Sequence, residues 1–107
     1  PLTYSPEVRD ALARQQPVVA LESSVIAQGL PAPHNLDLAR RCEAVIREEG
    51  AVPATIAIVD GRPHAGLDDA MLQRLASGAP GLVKVGSRDL ALAAVHGSTG
   101  GTTVSAT

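Results

Sequence analysis

Residues 17–35 read PVVALESSVIAQGLPAPHN, and this stretch decides the fold class. Four consecutive apolar residues, Val18 to Leu21, lead directly into Glu22. An uninterrupted apolar run is typical of a strand covered on both faces, as in the parallel sheet of an α/β protein, whereas a strand with one wet face alternates. The sequence therefore predicts a buried strand over residues 17–22 that ends in a carboxylate.

A helix is predicted before this strand. Ser5, Pro6 and Glu7 combine a capping hydroxyl, a proline at the first helical position and an acid in the first turn. We expect this helix to end near Arg14. Its inward-facing residues are expected to be Val8, Ala11 and Leu12.

A second helix is predicted after the strand. Asn35 is a suitable cap, and Gly50 is a suitable terminator just beyond Glu49. Apolar residues recur at helical spacing between them and predict one inner face. That face is expected to contain Leu38, Cys42, Val45 and Ile46.

The remaining elements continue the alternation of strands and helices. Residues 54–59 form a β-branched strand, and Asp60-Gly61 predicts a tight hairpin turn into a return strand at residues 62–66. Further elements are predicted as a helix at 67–76, a strand at 82–85, a helix at 90–95 and a final strand after HGSTGG. The order predicts an α/β domain with one antiparallel hairpin added.

Composition limits the classes of function. The chain has 107 residues, 45% of them apolar, which is enough for one small folded domain. A net charge of −2 with scattered arginines argues against nucleic-acid binding, and no apolar run approaches the roughly 18 residues of a membrane span. The single cysteine, Cys42, excludes an internal disulfide framework and a multi-cysteine metal site, so a cytoplasmic location is expected.

Both ends of the chain suggest a longer protein. The chain starts at Pro1 without methionine and ends in GTTVSAT, whose alternation predicts a strand. With Tyr4 as its only aromatic residue, the chain also has few side chains that bury a large area. We therefore expect the N-terminal part of a larger protein.

The first candidate site residue is Glu22, followed by Ser23 and Ser24. Ligands of open α/β sheets bind beyond the carboxyl ends of the strands, where these residues lie. A carboxylate at the mouth of an apolar strand is expected to be partly desolvated, which suits a general acid or base. A structural acid that caps a helix or pairs with an arginine is the alternative.

Two further segments are candidates for anion binding. Lys84 in PGLVKVGSRDL is the only lysine and lies in an apolar strand, where it either meets an anion such as phosphate or protects a sheet edge. Residues 96–107, HGSTGGTTVSAT, offer glycines and hydroxyls to an anion but lack the ending of a Walker loop, so an ordinary loop is the alternative. The histidines show no metal-ligand spacing, and no metal ligand is predicted within this chain.

Taken together, these segments resemble one protein family. The matching stretches are SPEVRDAL, PVVALESSVIAQGLPAPHN, EEGAVPATIAIVDG, LVKVGSRDL and GGTTVSAT, in this order along the chain. They are similar to the N-terminal third of the pseudouridine 5′-phosphate glycosidase family, also called the indigoidine synthase A-like family. The resemblance implies that residues 1–107 are the N-terminal portion of a single larger catalytic domain.

The resemblance also implies a fold and a reaction. The fold is an α/β/α sandwich with a mostly parallel central sheet and an added hairpin, usually assembled as a homotrimer. The reaction reversibly cleaves the C–C glycosidic bond of pseudouridine 5′-phosphate, giving uracil and ribose 5-phosphate. A divalent metal, typically Mn²⁺, is used, and its aspartate ligand is expected beyond Thr107.

Residue roles are implied in the same way. Glu22 matches the proton donor and acceptor, and Lys84 matches a lysine that contacts the sugar phosphate portion of the substrate. Thr103 and Val104 belong to a segment that lines the same pocket. The lysine that forms a Schiff base with the opened sugar lies, like the metal ligand, after Thr107 in the family.

The chain departs from the family in the loop after Glu22. The family commonly has Ser-His-Gly where this chain has Ala27-Gln28-Gly29, and Ala32 and His34 also differ. This departure leaves one alternative to the glycosidase open, and the catalytic residues expected after Thr107 leave a second. One is a C-glycosynthase that joins ribose 5-phosphate to an aromatic natural-product acceptor, and the other is a non-catalytic phosphosugar-binding fragment.

Overall fold

A computed structural model describes residues 2–77 and 99–101, apart from the side chain of Gln28. The strands are β1 (Thr3–Tyr4), β2 (Val18–Leu21), β3 (Val52–Val59), β4 (Arg62–Ala65) and β5 (Gly100–Gly101). The helices are α1 (Pro6–Ala13), α2 (His34–Glu48) and α3 (Asp69–Ala76), and a π-helical turn spans Val25–Gly29. The strand predicted at 82–85 and the helix at 90–95 lie outside the described residues.

β3 is the centre of the sheet. The strand order is β1-β4-β3-β2, and β5 also pairs with β3. β1 runs parallel to β4 and β2 parallel to β3, whereas β4 and β5 are both antiparallel to β3. The predicted α/β class with an added hairpin is confirmed, and in the described residues the sheet is mixed. β1 was not predicted from the sequence.

The hairpin between β3 and β4 forms at the predicted dipeptide. Val59 pairs with Arg62, so only Asp60 and Gly61 make the turn. Both have positive φ, 50° and 78°, which is the conformation of a type I′ turn. Asp tolerates this region better than most non-glycine residues, and Gly adopts it freely.

The two faces of β3 are covered by different helices. Ala54 packs in a cluster with Val8 of α1 and Ala65. Ala57 and Val59, which point to the opposite face, pack in a larger cluster with residues of α2 and α3. This arrangement places helices on both sides of the sheet.

The N-terminal helix agrees with its sequence signals. Ser5 caps α1, and its hydroxyl accepts a hydrogen bond from the Val8 amide at 3.2 Å. Val8 and Ala11 are buried as predicted. Leu12 is 47% exposed, so its predicted inward position is wrong.

The predicted inner face of α2 is also wrong. Its buried residues are Asn35, Ala39 and Glu43. Three of the four predicted core residues lie toward solvent: Leu38 is 38% exposed, Val45 is 48% exposed, and Cys42 is exposed. The fourth, Ile46, is half-buried. The helix turns polar residues inward because hydrogen bonds compensate their burial, which an apolar stripe in the sequence does not reveal.

Glu43 and Asn35 both have partners inside the fold. The Thr55 hydroxyl donates to the Glu43 carboxylate at 2.7 Å. The Asn35 amide donates to the carbonyls of Ile26 at 3.0 Å and Ala76 at 2.9 Å. Asn35 therefore lies within the first turn of α2 and not at its cap, where the sequence placed it.

β2 is an edge strand of the described sheet. Val19 is 40% exposed, and Ala20 is exposed as well. The predicted coverage of this strand on both faces is therefore not found in the described residues. An apolar run indicates burial of a strand but does not say which segment of the protein provides the cover.

Candidate functional site

The edge of β3 opposite β4 changes its partner halfway along. β2 pairs with the first half, as far as Leu21 opposite Thr55. β5 pairs with the second half, with Gly101 opposite Ala57. The chain leaves β2 at Glu22, and β5 belongs to the candidate segment 96–107, which we call the Gly-rich segment. Glu22 and the described part of the Gly-rich segment therefore lie at the same edge of the sheet. Two of the three segments predicted from the sequence therefore meet.

Ser23 closes the break between these two partners. Its hydroxyl donates a hydrogen bond to the carbonyl of Ile56, which lies between Thr55 and Ala57. The Ser23 side chain is fully buried, with a relative exposure of 0%. A partly buried carbonyl needs a donor, and the serine supplies one where the ladder passes from β2 to β5. Ser23 thus fixes the residue that directly follows Glu22.

Glu22 itself is exposed in the described structure. It lines a small cavity of about 60 Å³ together with Thr55, Leu38 and Cys42. The desolvation expected from its position after an apolar strand is therefore wrong for this chain. Among the described residues, the buried carboxylate is Glu43 of α2, which accepts a hydrogen bond from the Thr55 hydroxyl.

A π-helical turn follows Glu22 where the sequence predicted an irregular loop. The Leu30 amide donates to the Val25 carbonyl at 3.0 Å, five residues back along the chain. The Ser23 carbonyl accepts from the amides of Ile26 and Ala27 at 3.1 and 3.2 Å. Such turns are frequent at functional sites. The backbone of Gln28 lies in this turn, and Gln28 is one of the positions where the chain differs from the common family sequence.

Lys84, Thr103 and Val104 lie outside the described residues. The structure therefore does not test the positions predicted for them. Gly100 and Gly101 are described as β5, and Thr103 follows two residues later in the sequence.

Sequence reasoning missed a cluster that joins the hairpin turn, α3 and the residue before β5. The Arg74 guanidinium binds the Asp60 carboxylate in a bidentate pair at 2.7 and 3.1 Å. Arg74 also donates to the Thr99 hydroxyl at 3.1 Å. The sequence marks Asp60 only as a turn residue and Thr99 only as a loop hydroxyl, and it carries no signal for Arg74.

The ion pair between Asp60 and Arg74 shifts the pKa of both side chains. The hydrogen bond from Arg74 lowers the pKa of the Asp60 carboxyl below its ordinary value. The same hydrogen bond, which the Asp60 carboxylate accepts, raises the pKa of the Arg74 guanidinium. Each shift favours the charged form, so the pair is ionised at neutral pH.

The described residues contain no group of three His, Cys, Asp or Glu side chains arranged to hold a metal ion. No residue among 2–77 and 99–101 is therefore assigned to Mn²⁺. Within the same ranges, no helix is both long and apolar enough to cross a membrane.

The sequence and the fold were compared with known proteins. The sequence model of the family described as "Indigoidine synthase A like protein" matches residues 7–107, which is nearly the whole chain. The chain belongs to the indigoidine synthase A-like family. The resemblance noted from the sequence is confirmed.

Curated members of the indigoidine synthase A-like family are closely similar to the chain. A pseudouridine-5′-phosphate glycosidase of Myxococcus xanthus is 58% identical over 106 residues, which cover 99% of this chain and 35% of that protein. A protein of the same name from Jannaschia sp. is 54% identical over 107 residues, covering 100% and 35%. The chain thus spans about a third of the length of the curated relatives it matches.

Solved structures share the fold. The structure described as the prealnumycin C-glycosynthase AlnA in complex with ribulose 5-phosphate superposes with a TM-score of 0.82 at 42% identity, over 99% of this chain and 33% of that one. An indigoidine synthase A-like protein of Thermotoga maritima also gives a TM-score of 0.82, at 31% identity, over 99% and 34%. The fold predicted from the sequence is confirmed by both.

Proposed function

We propose that the chain is the N-terminal portion of a family domain that cleaves and forms the C–C glycosidic bond of pseudouridine 5′-phosphate. The observation that carries the proposal is the 58% identity to a protein named pseudouridine-5′-phosphate glycosidase, which extends over 99% of the chain. In the cleavage direction, water is consumed, and uracil and ribose 5-phosphate are released.

Glu22 is assigned to proton transfer in this proposal. As the glycosidic bond breaks, the uracil carbon that leaves the sugar needs a proton, and a carboxylic acid delivers it. The site of Glu22 supports this role because Ser23 anchors the adjoining backbone to β3 through the Ile56 carbonyl. The electrophile that makes the bond labile is a Schiff base between the opened sugar and a lysine outside this chain.

The phosphate side of the site is assigned to the segment around Lys84 and to the residues after β5. Lys84 is proposed to contact the sugar phosphate, and Thr103 and Val104 to line the same pocket. A divalent metal and a trimeric assembly are part of the proposal through the family resemblance. Because the described residues hold no metal cluster, no step is assigned to the metal here.

The experiment uses a protein of full family length that carries these 107 residues. With Mn²⁺ present, we expect it to form pseudouridine 5′-phosphate from uracil and ribose 5-phosphate. Formation of the product is measured by chromatography. The control is a relative assayed under the same conditions. If the relative makes product and this protein does not, the glycosidase proposal fails.

The variant Glu22→Gln tests the proton-transfer role. The amide cannot donate or accept the proton, so we expect turnover to fall by about 10²- to 10⁴-fold. Ribose 5-phosphate binding, measured by calorimetry, should be retained, and Glu49→Gln serves as a control at an exposed acid. Unchanged turnover in Glu22→Gln would remove Glu22 from the reaction.

A C-glycosynthase is the second candidate. It is favoured by the 42% identity to a solved structure described as a prealnumycin C-glycosynthase, and by the Ala27-Gln28 departure in the π-helical turn. The sugar phosphate would be the same in both reactions, and the acceptor would differ. Competition between uracil and an aromatic acceptor for ribose 5-phosphate decides, because the preferred acceptor gives the larger kcat/KM. Binding of the sugar phosphate without reaction with either acceptor would support the third hypothesis, a non-catalytic phosphosugar-binding fragment.

A further inference from the structure

We propose that Asp60, Arg74 and Thr99 form a clamp that positions β5 beside Glu22. The inference rests on the proposed function, because the segment it positions leads into the residues assigned to the phosphosugar pocket. None of the three is proposed to touch substrate. They act as positioning residues through the backbone of Gly100–Gly101.

The Thr99 hydroxyl is the centre of the clamp. It accepts from the Asp60 amide at 2.9 Å and from the Arg74 guanidinium at 3.1 Å. It also donates toward the Asp60 carboxylate at 3.3 Å. The hydroxyl therefore uses its donor and both acceptor positions on two residues, and its orientation is fixed. Thr99 is 8% exposed, although both partners are at the surface.

β5 needs such a device because its own sequence cannot hold it in place. Its two residues are both glycine and pair with β3 at only two positions, Ala57 and Ile58. Glycine has no side chain to pack and loses the most conformational freedom on folding. An anchor directly before the strand reduces that freedom. Thr99 occupies that position, and the anchor point is the tip of the hairpin that extends β3.

The rest of the clamp is set by elements already fixed in the core. Asp60 belongs to the type I′ turn, and Arg74 lies on α3 next to Leu75, which is fully buried with 0% exposure. The β5 segment is therefore hydrogen-bonded to two rigid elements, the hairpin of β3 and β4 and the helix α3. The hairpin includes β3, and β3 also pairs with Leu21, the residue before Glu22. The clamp thereby fixes the distance between Glu22 and the β5 segment, which leads into the residues assigned to the phosphosugar pocket.

A surface ion pair with no positioning role is the competing explanation. The Arg74 and Asp60 side chains are 48% and 66% exposed, and exposed pairs contribute little to global stability. The two explanations differ in their local effects. A clamp changes the order of β5 and the binding of phosphosugar, whereas an ordinary surface pair changes neither.

The first experiment measures amide hydrogen exchange at Gly100, which pairs with Ile58 of β3, in a protein of full family length that carries these residues. Thr99→Val removes the hydroxyl and keeps the shape of the side chain, so we expect exchange there to accelerate about tenfold. Thr99→Ser keeps the hydroxyl and should stay within about twofold of the parent. Amides within β2 and α2, which make no hydrogen bond to Thr99 in the described residues, serve as internal references. Equal exchange in Thr99→Val and the parent would overturn the clamp.

The second experiment measures kinetics in a protein of full family length. Arg74→Met should raise KM for the phosphosugar about tenfold, the equivalent of one well-made hydrogen bond, with little change in kcat. Arg40→Met is the matched control, because Arg40 forms a bidentate pair with Asp69 at similar exposure, 46% and 56%. Equal KM values in the two variants would overturn the positioning role. Thermal midpoints show that both variants fold.

The two experiments also separate the clamp from the proposed function. Exchange at β5 is independent of any substrate, so it decides the clamp even where the parent protein shows no activity. Absence of activity in the parent on every phosphosugar tested would overturn the proposed function alone. Fast β5 exchange with unchanged KM would overturn the link between the clamp and the site.

Discussion

At the scale of single residues, a few side chains and glycines connect parts of the chain that are distant in sequence. Asn35 joins the π-helical turn, α2 and the end of α3, because its amide reaches the Ile26 and Ala76 carbonyls. Its own side-chain carbonyl accepts from the Leu36 amide at 2.8 Å. One side chain thus holds the loop that follows Glu22 against the helical layer.

Replacement of Asn35 should therefore be costly. Asn35→Ala leaves two buried carbonyls without their donor, and we expect the free energy of unfolding to fall by about 2–3 kcal/mol. Urea denaturation of the chain measures it. Glu48→Ala at an exposed position of the same helix should change the free energy by less than about 0.5 kcal/mol. A similar small change in Asn35→Ala would show that the three hydrogen bonds contribute little.

Gly66 illustrates a requirement for space as well as for backbone conformation. It has a φ of +92°, and an added Cβ would lie 2.7 Å from Val8 Cγ2 and closer still to Ser5 Oγ. Gly50, with a φ of +85°, would have no atom within 4 Å of an added Cβ. The two glycines thus separate backbone strain from steric overlap.

We expect Gly50→Ala to lower the free energy of unfolding by about 1–2 kcal/mol, the ordinary cost of a left-handed alanine. Gly66→Ala should lower it further, by about another 1–3 kcal/mol, because the methyl group displaces the cap of α1. The comparison is made by chemical denaturation of both variants. Equal losses would mean that the α1 contact adjusts without cost.

At the scale of elements, ion pairs join helices that the hydrophobic clusters leave apart. Arg47 of α2 binds the Glu7 carboxylate of α1 in a bidentate pair at 2.8 and 3.0 Å. The hydrogen bond from Arg47 lowers the pKa of Glu7 below its ordinary value of 4.5. The same bond raises the pKa of Arg47, so both helices contribute a charged partner at neutral pH.

This pair predicts a pH dependence of stability. Because the folded-state pKa of Glu7 is depressed, its contribution is complete above the ordinary value of 4.5 and is lost as the pH falls through the folded-state value. The thermal midpoint of Glu7→Gln should therefore lie below that of the parent at pH 7, and the gap should close in acid. Glu48→Gln, at an exposed acid, is the control. A gap that persists at pH 2 would exclude this linkage.

At the scale of the whole molecule, the described chain leaves an apolar surface uncovered. Val19 of β2 and Leu38 and Val45 of α2 are 40%, 38% and 48% exposed. Cys42, the single cysteine, lines a groove of about 380 Å³ on the same surface with Leu38 and Val45. The surface exists because α2 buries Asn35, Ala39 and Glu43 and turns its apolar residues outward.

Cys42 provides a direct test of this orientation. We expect a thiol reagent to titrate one equivalent in the native 107-residue chain, at a rate within about tenfold of a free thiol. Cys42→Ser should abolish the signal. The orientation predicted from the sequence, with Cys42 inside, requires instead that the thiol react only after denaturation.

Local signals carry those parts of the fold that depend on neighbours in sequence. The cap at Ser5, the turn at Asp60-Gly61 and the end of α2 before Gly50 are found where the residues predict them. Each of these depends on backbone conformations and hydrogen bonds within about four residues. Glu22 and the Gly-rich segment were identified as candidates in the same way, from residue type and position after a strand.

Long-range contacts decide the rest. The buried face of α2, the change of partner along β3 and the Asp60–Arg74–Thr99 cluster each join residues at least 12 positions apart. Sequence periodicity does not report them, because a polar residue is buried only where a distant partner satisfies its hydrogen bonds. The sequence by itself thus determined the elements and the candidate residues. Tertiary structure alone decided which of them meet, because pairing at the β3 edge depends on the paths of three separate strands.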